Sequence, residues 1–237
     1  MSSKTKAVSL PHVDGRTGLV FPVKAISDLA RQHGAFTLLD GAHSAGQIDF
    51  RLDSLGCDAY ATCLHKWMHG PRGTGFLYIR RDKISQIWPL FATWSDKPDD
   101  SIEKFEEVGT VFKALPAAIP DMIAFNRDVG QAEKNARYRY LRHRWASRLA
   151  EHKSVVMLTD IAAEPGTCFG AFTVKHMDCE TFARVLLQGY DISVKAFAME
   201  EDASMKGIHI STGLANTVQE IDRFVDAALE ILEREGR

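Results

Sequence analysis

The sequence predicts an α/β fold: a mostly parallel sheet with helices packed on it, followed by a smaller α+β unit. Three observations carry this reading. Short apolar runs alternate with a helix-spaced run in the first third of the chain, the rhythm of β-α-β units. A second series of strand-like and helical runs follows a long helical stretch. The length, 237 residues, fits one large or two small domains, and 45% hydrophobic content is enough for a core.

In chain order, KAVSLPHV over 6–13 reads as a strand. The run over 23–33 places Val23, Ile26, Leu29 and Ala30 at helix spacing, and Gly34 suits its stop. AFTLL over 35–39 is a short strand running into Asp40, and CDAYATC over 57–63 is another, running towards Lys66. GFLYIR over 75–80 is a third. The stretch over 88–104, with Pro89, Pro98 and the Asp99-Asp100 pair, reads as a surface excursion. A long helix is expected over 117–150, with Pro120 tolerated near its start. Its basic run ARYRYLRHRWASR reads as a solvated face, with Leu141, Trp145 and Leu149 packing at i, i+4 and i+8. Strands are expected over 155–158, 169–174, 192–197 and 207–211. Helices are expected over 179–187 and 217–233, the second with one apolar face and a Thr217/Glu220 capping box.

Composition narrows the function classes. A net charge of -2 gives no electrostatic case for nucleic acid or an anionic membrane. No apolar run has the length of a membrane span, and the N-terminus lacks the long apolar segment of a secretory signal. Cys57, Cys63, Cys168 and Cys179 show no CxxC spacing, so free thiols in a reducing cytosol are expected.

Asp40 and Lys66 are the residues that point to chemistry. In parallel sheets ligands sit beyond the carboxyl ends of the strands, and both residues fall at such ends. A carboxylate and an amine there match the needs of pyridoxal 5'-phosphate (PLP): an amine for a Schiff base, and a carboxylate to keep the pyridine nitrogen protonated. A structural Asp-Lys ion pair is the other reading of the same spacing. His65 and His69, with Cys63, are a metal alternative, but no fourth ligand follows at zinc spacing. GPRGTG resembles a phosphate loop only loosely and reads as a tight turn before a strand.

Four motifs in order, LLDGAHSAGQ (38–47), LHKWMHGPRGTGFL (64–77), FEEVGT (105–110) and ISTGLANTVQEIDRFV (210–225), resemble those of class V aminotransferases. That family is of PLP-dependent fold type I and includes cysteine desulfurases and isopenicillin N epimerase. The DGAH and LHKW forms look most like the epimerase branch. The resemblance implies a partial PLP-binding large domain over 1–140, including the start of an interdomain helix, and a small C-terminal α+β domain over 141–237. It implies that Lys66 forms the Schiff base and shuttles a proton, and that Asp40 pairs with the pyridine nitrogen. It implies that His43 bonds the cofactor's phenolic oxygen and that His65, Gly109 and Thr110 serve the phosphate. Thr17 would lie near the cofactor. The implied reaction is epimerase, lyase or aminotransferase chemistry on an amino acid or amine.

The chain departs from the family pattern twice. Family members are longer, and the match is to their C-terminal part, so an unpaired sheet edge, an exposed apolar face and a homodimeric or other partner chain supplying the N-terminal half are expected. A non-catalytic truncated homologue is the alternative. His209 stands where relatives often carry an arginine for the substrate carboxylate, which leaves Arg72 as the other candidate anchor. No cysteine falls at an obvious persulfide-carrying position.

Overall fold

The structure is a computed structural model that describes residues 1–91, 96–106, 109–110, 112, 114–162, 164, 166–198 and 205–235. The chain divides into two compact units. The first holds Met1–Val13, Phe21–Gly46 and Phe50–Asp128; the second holds Asp14–Val20, Gln47–Asp49 and Val129–Arg237.

The first unit is built on a four-stranded sheet in the order β1-β2-β3-β4. Its strands are β1 (Ala7–Pro11), β2 (Phe36–Asp40), β3 (Ala59–Cys63) and β4 (Gly75–Ile79). β1 pairs with β2 and β2 with β3 in parallel, so three carboxyl ends line up at one edge. β4 runs antiparallel to β3, a direction the residue pattern alone does not encode. The crossover from β1 to β2 is helix α1 (Val23–Gln32). α1 buries Val23 and Ala30; Val23 packs with Leu39 and Tyr60 of the sheet.

Two short helices, α2 (Ala114–Ala117) and α3 (Ile119–Val129), close this unit. The continuous helix expected over 117–150 is broken. Gly130 sits at φ +83°, a backbone state that L side chains rarely adopt, and helix α4 (Gln131–Ala150) begins after it. In the excursion, Trp88 and Leu90 are exposed, while the Lys104 amine is buried against Asp99. Residues 92–95 of this expected excursion lie outside the described residues.

The second unit carries an antiparallel sheet in the order β5-β6-β8-β7. Its strands are β5 (Val155–Met157), β6 (Phe169–Val174), β7 (Lys195–Ala198) and β8 (Lys206–Ser211). Helices α4, α5 (Cys179–Tyr190) and α6 (Val218–Glu235) share a core with one face of this sheet. Leu141, Trp145 and Leu149 are fully buried there. The basic run of α4 serves the fold: Arg144 makes a bidentate pair with Asp222 of α6, and Arg148 reaches Asp226. The capping box is present, with Thr217 N donating to Glu220 at 2.8 Å and Glu220 N to Thr217 at 3.2 Å.

His12, just beyond β1, is the one buried titratable group at the mouth of the first sheet whose state follows from packing alone among the described residues. It is 4% exposed, edge-on to Phe50, and its Nδ1 has no hydrogen-bond partner among the described residues. Burial pulls its pKa down to about 4. The ring is therefore neutral in the fold at pH 6.5, the ordinary value at which an unfolded histidine gains its proton. This burial stabilises the protein fully above that value, and the stabilisation is lost as pH falls towards 4. The expected size of the effect is about 3 kcal/mol. Urea unfolding of the wild type and His12→Gln between those pH values should show a smaller acid loss in the variant. Equal losses would contradict a neutral buried ring.

Candidate active site

The site is built from two turns at the carboxyl ends of β2 and β3. Asp40 is the last residue of β2 and lies opposite Ala61 of β3. Its Oδ1 accepts the Ala42 N–H at 2.8 Å, which starts the turn that follows. Gly41 N donates to Ala61 O, and Ser44 and Ala45 both donate back to Gly41 O. Gly41 must be glycine, because a Cβ there would lie 2.0 Å from the Tyr60 ring. Tyr60 is fully buried, bonds Ser44 through its hydroxyl at 2.7 Å, and burial holds that hydroxyl protonated well above its usual range.

The second turn carries the lysine. Leu64 N donates to Thr74 O, Gly70 N to Leu64 O and His69 N to Lys66 O, so 64–74 closes on itself. His69 adopts φ +59°, and no helix spans this segment. The i, i+4 spacing of His65 and His69 therefore does not place them on one helix face. Among the described residues no group of three or more His, Cys, Asp or Glu could hold a metal. Asn126 of α3 clamps the turn, donating to Met68 O at 2.7 Å. Gly70 allows close approach to α3: a Cβ there would lie 2.7 Å from Met122 Sδ.

The two turns press together at Gly46. It sits at φ +76°, and a Cβ would lie 2.7 Å from both Trp67 O and Met68 Sδ. This contact brings His43 Nε2 to 3.2 Å from Lys66 Nζ. Both side chains are half-buried, so they remain reachable. Asp40 faces a shallow depression shared with Thr62, Cys63 and Phe76. An amine against an imidazole, and a carboxylate at an open depression on the neighbouring strand end, fit a carbonyl-bearing heteroaromatic cofactor such as PLP.

The remaining expected residues are placed as follows. His65, Arg72, Gly109 and Thr110 belong to the first unit and are exposed. Thr17 and His209 belong to the second unit. Thr17 Oγ1 donates to Asp14 at 2.6 Å. His209 Nδ1 donates to the Arg16 carbonyl at 2.8 Å, and burial lowers its pKa, so it is held neutral with Nε2 as an acceptor. Burial also pushes the Cys57 and Cys168 thiols up, which makes them poor nucleophiles. Asn126, Tyr60 and Ser44 escaped the sequence reading. A mid-helix asparagine and a strand tyrosine carry no local signal; only the glycine at position 41 hints at a large neighbour.

The comparisons agree with this architecture. Isopenicillin N epimerase of Streptomyces clavuligerus is 28% identical, over 96% of this chain and 60% of its own length. The apo cysteine desulfurase of Thermococcus onnurineus NA1 superposes with TM-score 0.81 at 22% identity, covering 96% of this chain and 60% of that one. A C-DES variant with glycine covalently linked to its PLP cofactor also superposes with TM-score 0.81 at 23% identity, covering 96% and 61%. The α/β fold is that of these enzymes. This chain spans about 60% of the length of the curated relatives it matches. The family description Aminotransferase class-V matches residues 1–224, and the chain belongs to that family.

Proposed function

We propose that this chain is the catalytic part of a PLP-dependent enzyme acting on an amino acid or amine. The observation that carries the reading is the Lys66 amine held 3.2 Å from the His43 imidazole. PLP, when bound, supplies a carbonyl that bonds covalently to an amine and a ring that withdraws electrons from the α-carbon.

The chain's own residues do the rest. Lys66 supplies the amine and then moves the proton at the substrate α-carbon. His43 faces Nζ, so it can take the proton that an ammonium must lose before the amine reacts. Asp40 holds a cationic ring nitrogen through its carboxylate. His65, Gly109 and Thr110 would bind the phosphate. Arg72, exposed and cationic, takes the substrate carboxylate. His209 is less suited to that task, because its Nδ1 proton is committed to Arg16 O. That commitment is also the observation favouring the second reading, a non-catalytic structural subunit.

A partner polypeptide, a second copy or a chain carrying the rest of the family length, completes the enzyme. Support comes from β4: it pairs only with β3 among the described residues and exposes both Phe76 and Leu77. No described helix is long and apolar enough to cross a membrane, which suits the cytoplasmic location proposed for such an enzyme.

Two outcomes test the reading. The purified chain with PLP should show a visible band that borohydride removes, absent from Lys66→Ala. A band that survives this substitution would overturn the role of Lys66. Gly46→Ala should destabilise the protein by about 3 kcal/mol, from backbone strain and overpacking together, and should also abolish the band. A variant with unchanged melting temperature would contradict the contact between the turns.

A further inference from the structure

The second unit holds a cavity of its own. Its sheet has two faces. Phe172, Ile208 and Ile210 point into the core shared with α4 to α6. Their strand neighbours Ala171, Thr173, Gly207 and His209 point to the other face, by alternation and by the register Ala171↔His209. The segment Asp14–Val20 lies across that face, tied down at three consecutive carbonyls. Arg16 O accepts from His209 Nδ1 at 2.8 Å, Thr17 O from Thr159 Oγ1, and Gly18 O lies 3.3 Å from Thr167 Oγ1. Gly18 cannot carry a side chain, since a Cβ would lie 2.6 Å from Phe169 O.

Beside this strap, a cavity of about 480 Å³ opens, lined among the described residues mainly by apolar side chains. Leu158, Phe197 and Met205 supply its apolar surface, and Thr17, Thr159 and Thr173 line it with hydroxyl-bearing side chains. Gly207 keeps the floor open: a Cβ there would lie 2.7 Å from Leu158 Cδ1 and 2.9 Å from Phe197 Cζ. The rim carries four charges, Asp14, Arg16, Asp160 and Lys206. Asp14 is engaged by Arg16 N, Thr17 N and Thr17 Oγ1, and Asp160 by Ala162 N. Lys206 pairs with Asp178 at 3.7 Å. Arg16 alone of the four has a side chain with no hydrogen bond or ion pair among the described residues. An apolar chamber with, at its rim, a guanidinium that has no partner among the described residues selects a molecule with an apolar body and an anionic head.

We propose that this cavity binds a small monocarboxylate with an aliphatic or aromatic body, the body on Leu158, Phe197 and Met205 and the carboxylate on Arg16. The site lies within the second unit and does not depend on the cofactor reading. The probes are 3-phenylpropionate and hexanoate, each with its matching alcohol, titrated into the full chain labelled at methionine and leucine methyls. At least one carboxylate should shift the Met205 and Leu158 resonances saturably and bind tighter than its alcohol. Arg16→Gln, an exposed position that should leave the fold and circular dichroism unchanged, should weaken carboxylate binding about tenfold and leave the alcohol unaffected. If neither probe shifts Met205, or if carboxylate and alcohol bind equally, or if Arg16→Gln changes nothing, the proposal is overturned.

Discussion

The close approach of two turns at Gly46 is the constraint on which the rest of the site depends. Backbone atoms of Trp67 and the Met68 side chain occupy the space where any larger residue would place its Cβ. Only glycine permits that spacing, and only glycine takes its φ of +76° without strain. The lysine turn is then pinned from the other side by Asn126 and by the close contact of Gly70 with Met122. The lysine's position is thus set by backbone packing on both flanks rather than by an ion pair of its own. That separates this arrangement from a structural Asp-Lys pair: Lys66 Nζ faces an imidazole.

Much of this was legible in the sequence, for identifiable reasons. The β-α-β rhythm gave β1, α1, β2 and β3, and with them the expectation that Asp40 and Lys66 lie at neighbouring strand ends. The capping box at Thr217 and Glu220 was legible because both of its bonds are local. So was the buried stripe Leu141, Trp145 and Leu149, because a helix fixes which residues share a face. What escaped depends on long-range geometry. The antiparallel direction of β4 leaves no periodic trace, since alternation is the same in either direction. The break at Gly130 hid inside a helical pattern, because one glycine is tolerated in many helices and only its positive φ ends this one. The Asn126 clamp and the commitment of His209 to Arg16 O join residues 58 and 193 positions apart.

His12 and His209 do different jobs, separated by environment rather than by type. His12 is buried among apolar rings and held neutral. His209 spends its Nδ1 proton on a backbone carbonyl and so acts as a clasp on the strap over the second sheet. A neutral ring of fixed tautomer makes a poor clamp for an anion, which is why Arg72 and Arg16 carry the anion-binding roles proposed for this chain.

The central claim is that packing of the two turns holds the Lys66 amine against His43 in the chain itself. Long-range proton–nitrogen correlation spectra of the histidine rings test it most directly, recorded for the wild type and Lys66→Met. The account predicts that the His43 Nε2 resonance moves on substitution while the exposed His65 ring keeps its own. An unchanged His43 resonance would show that the amine and the imidazole do not meet, and would contradict the account.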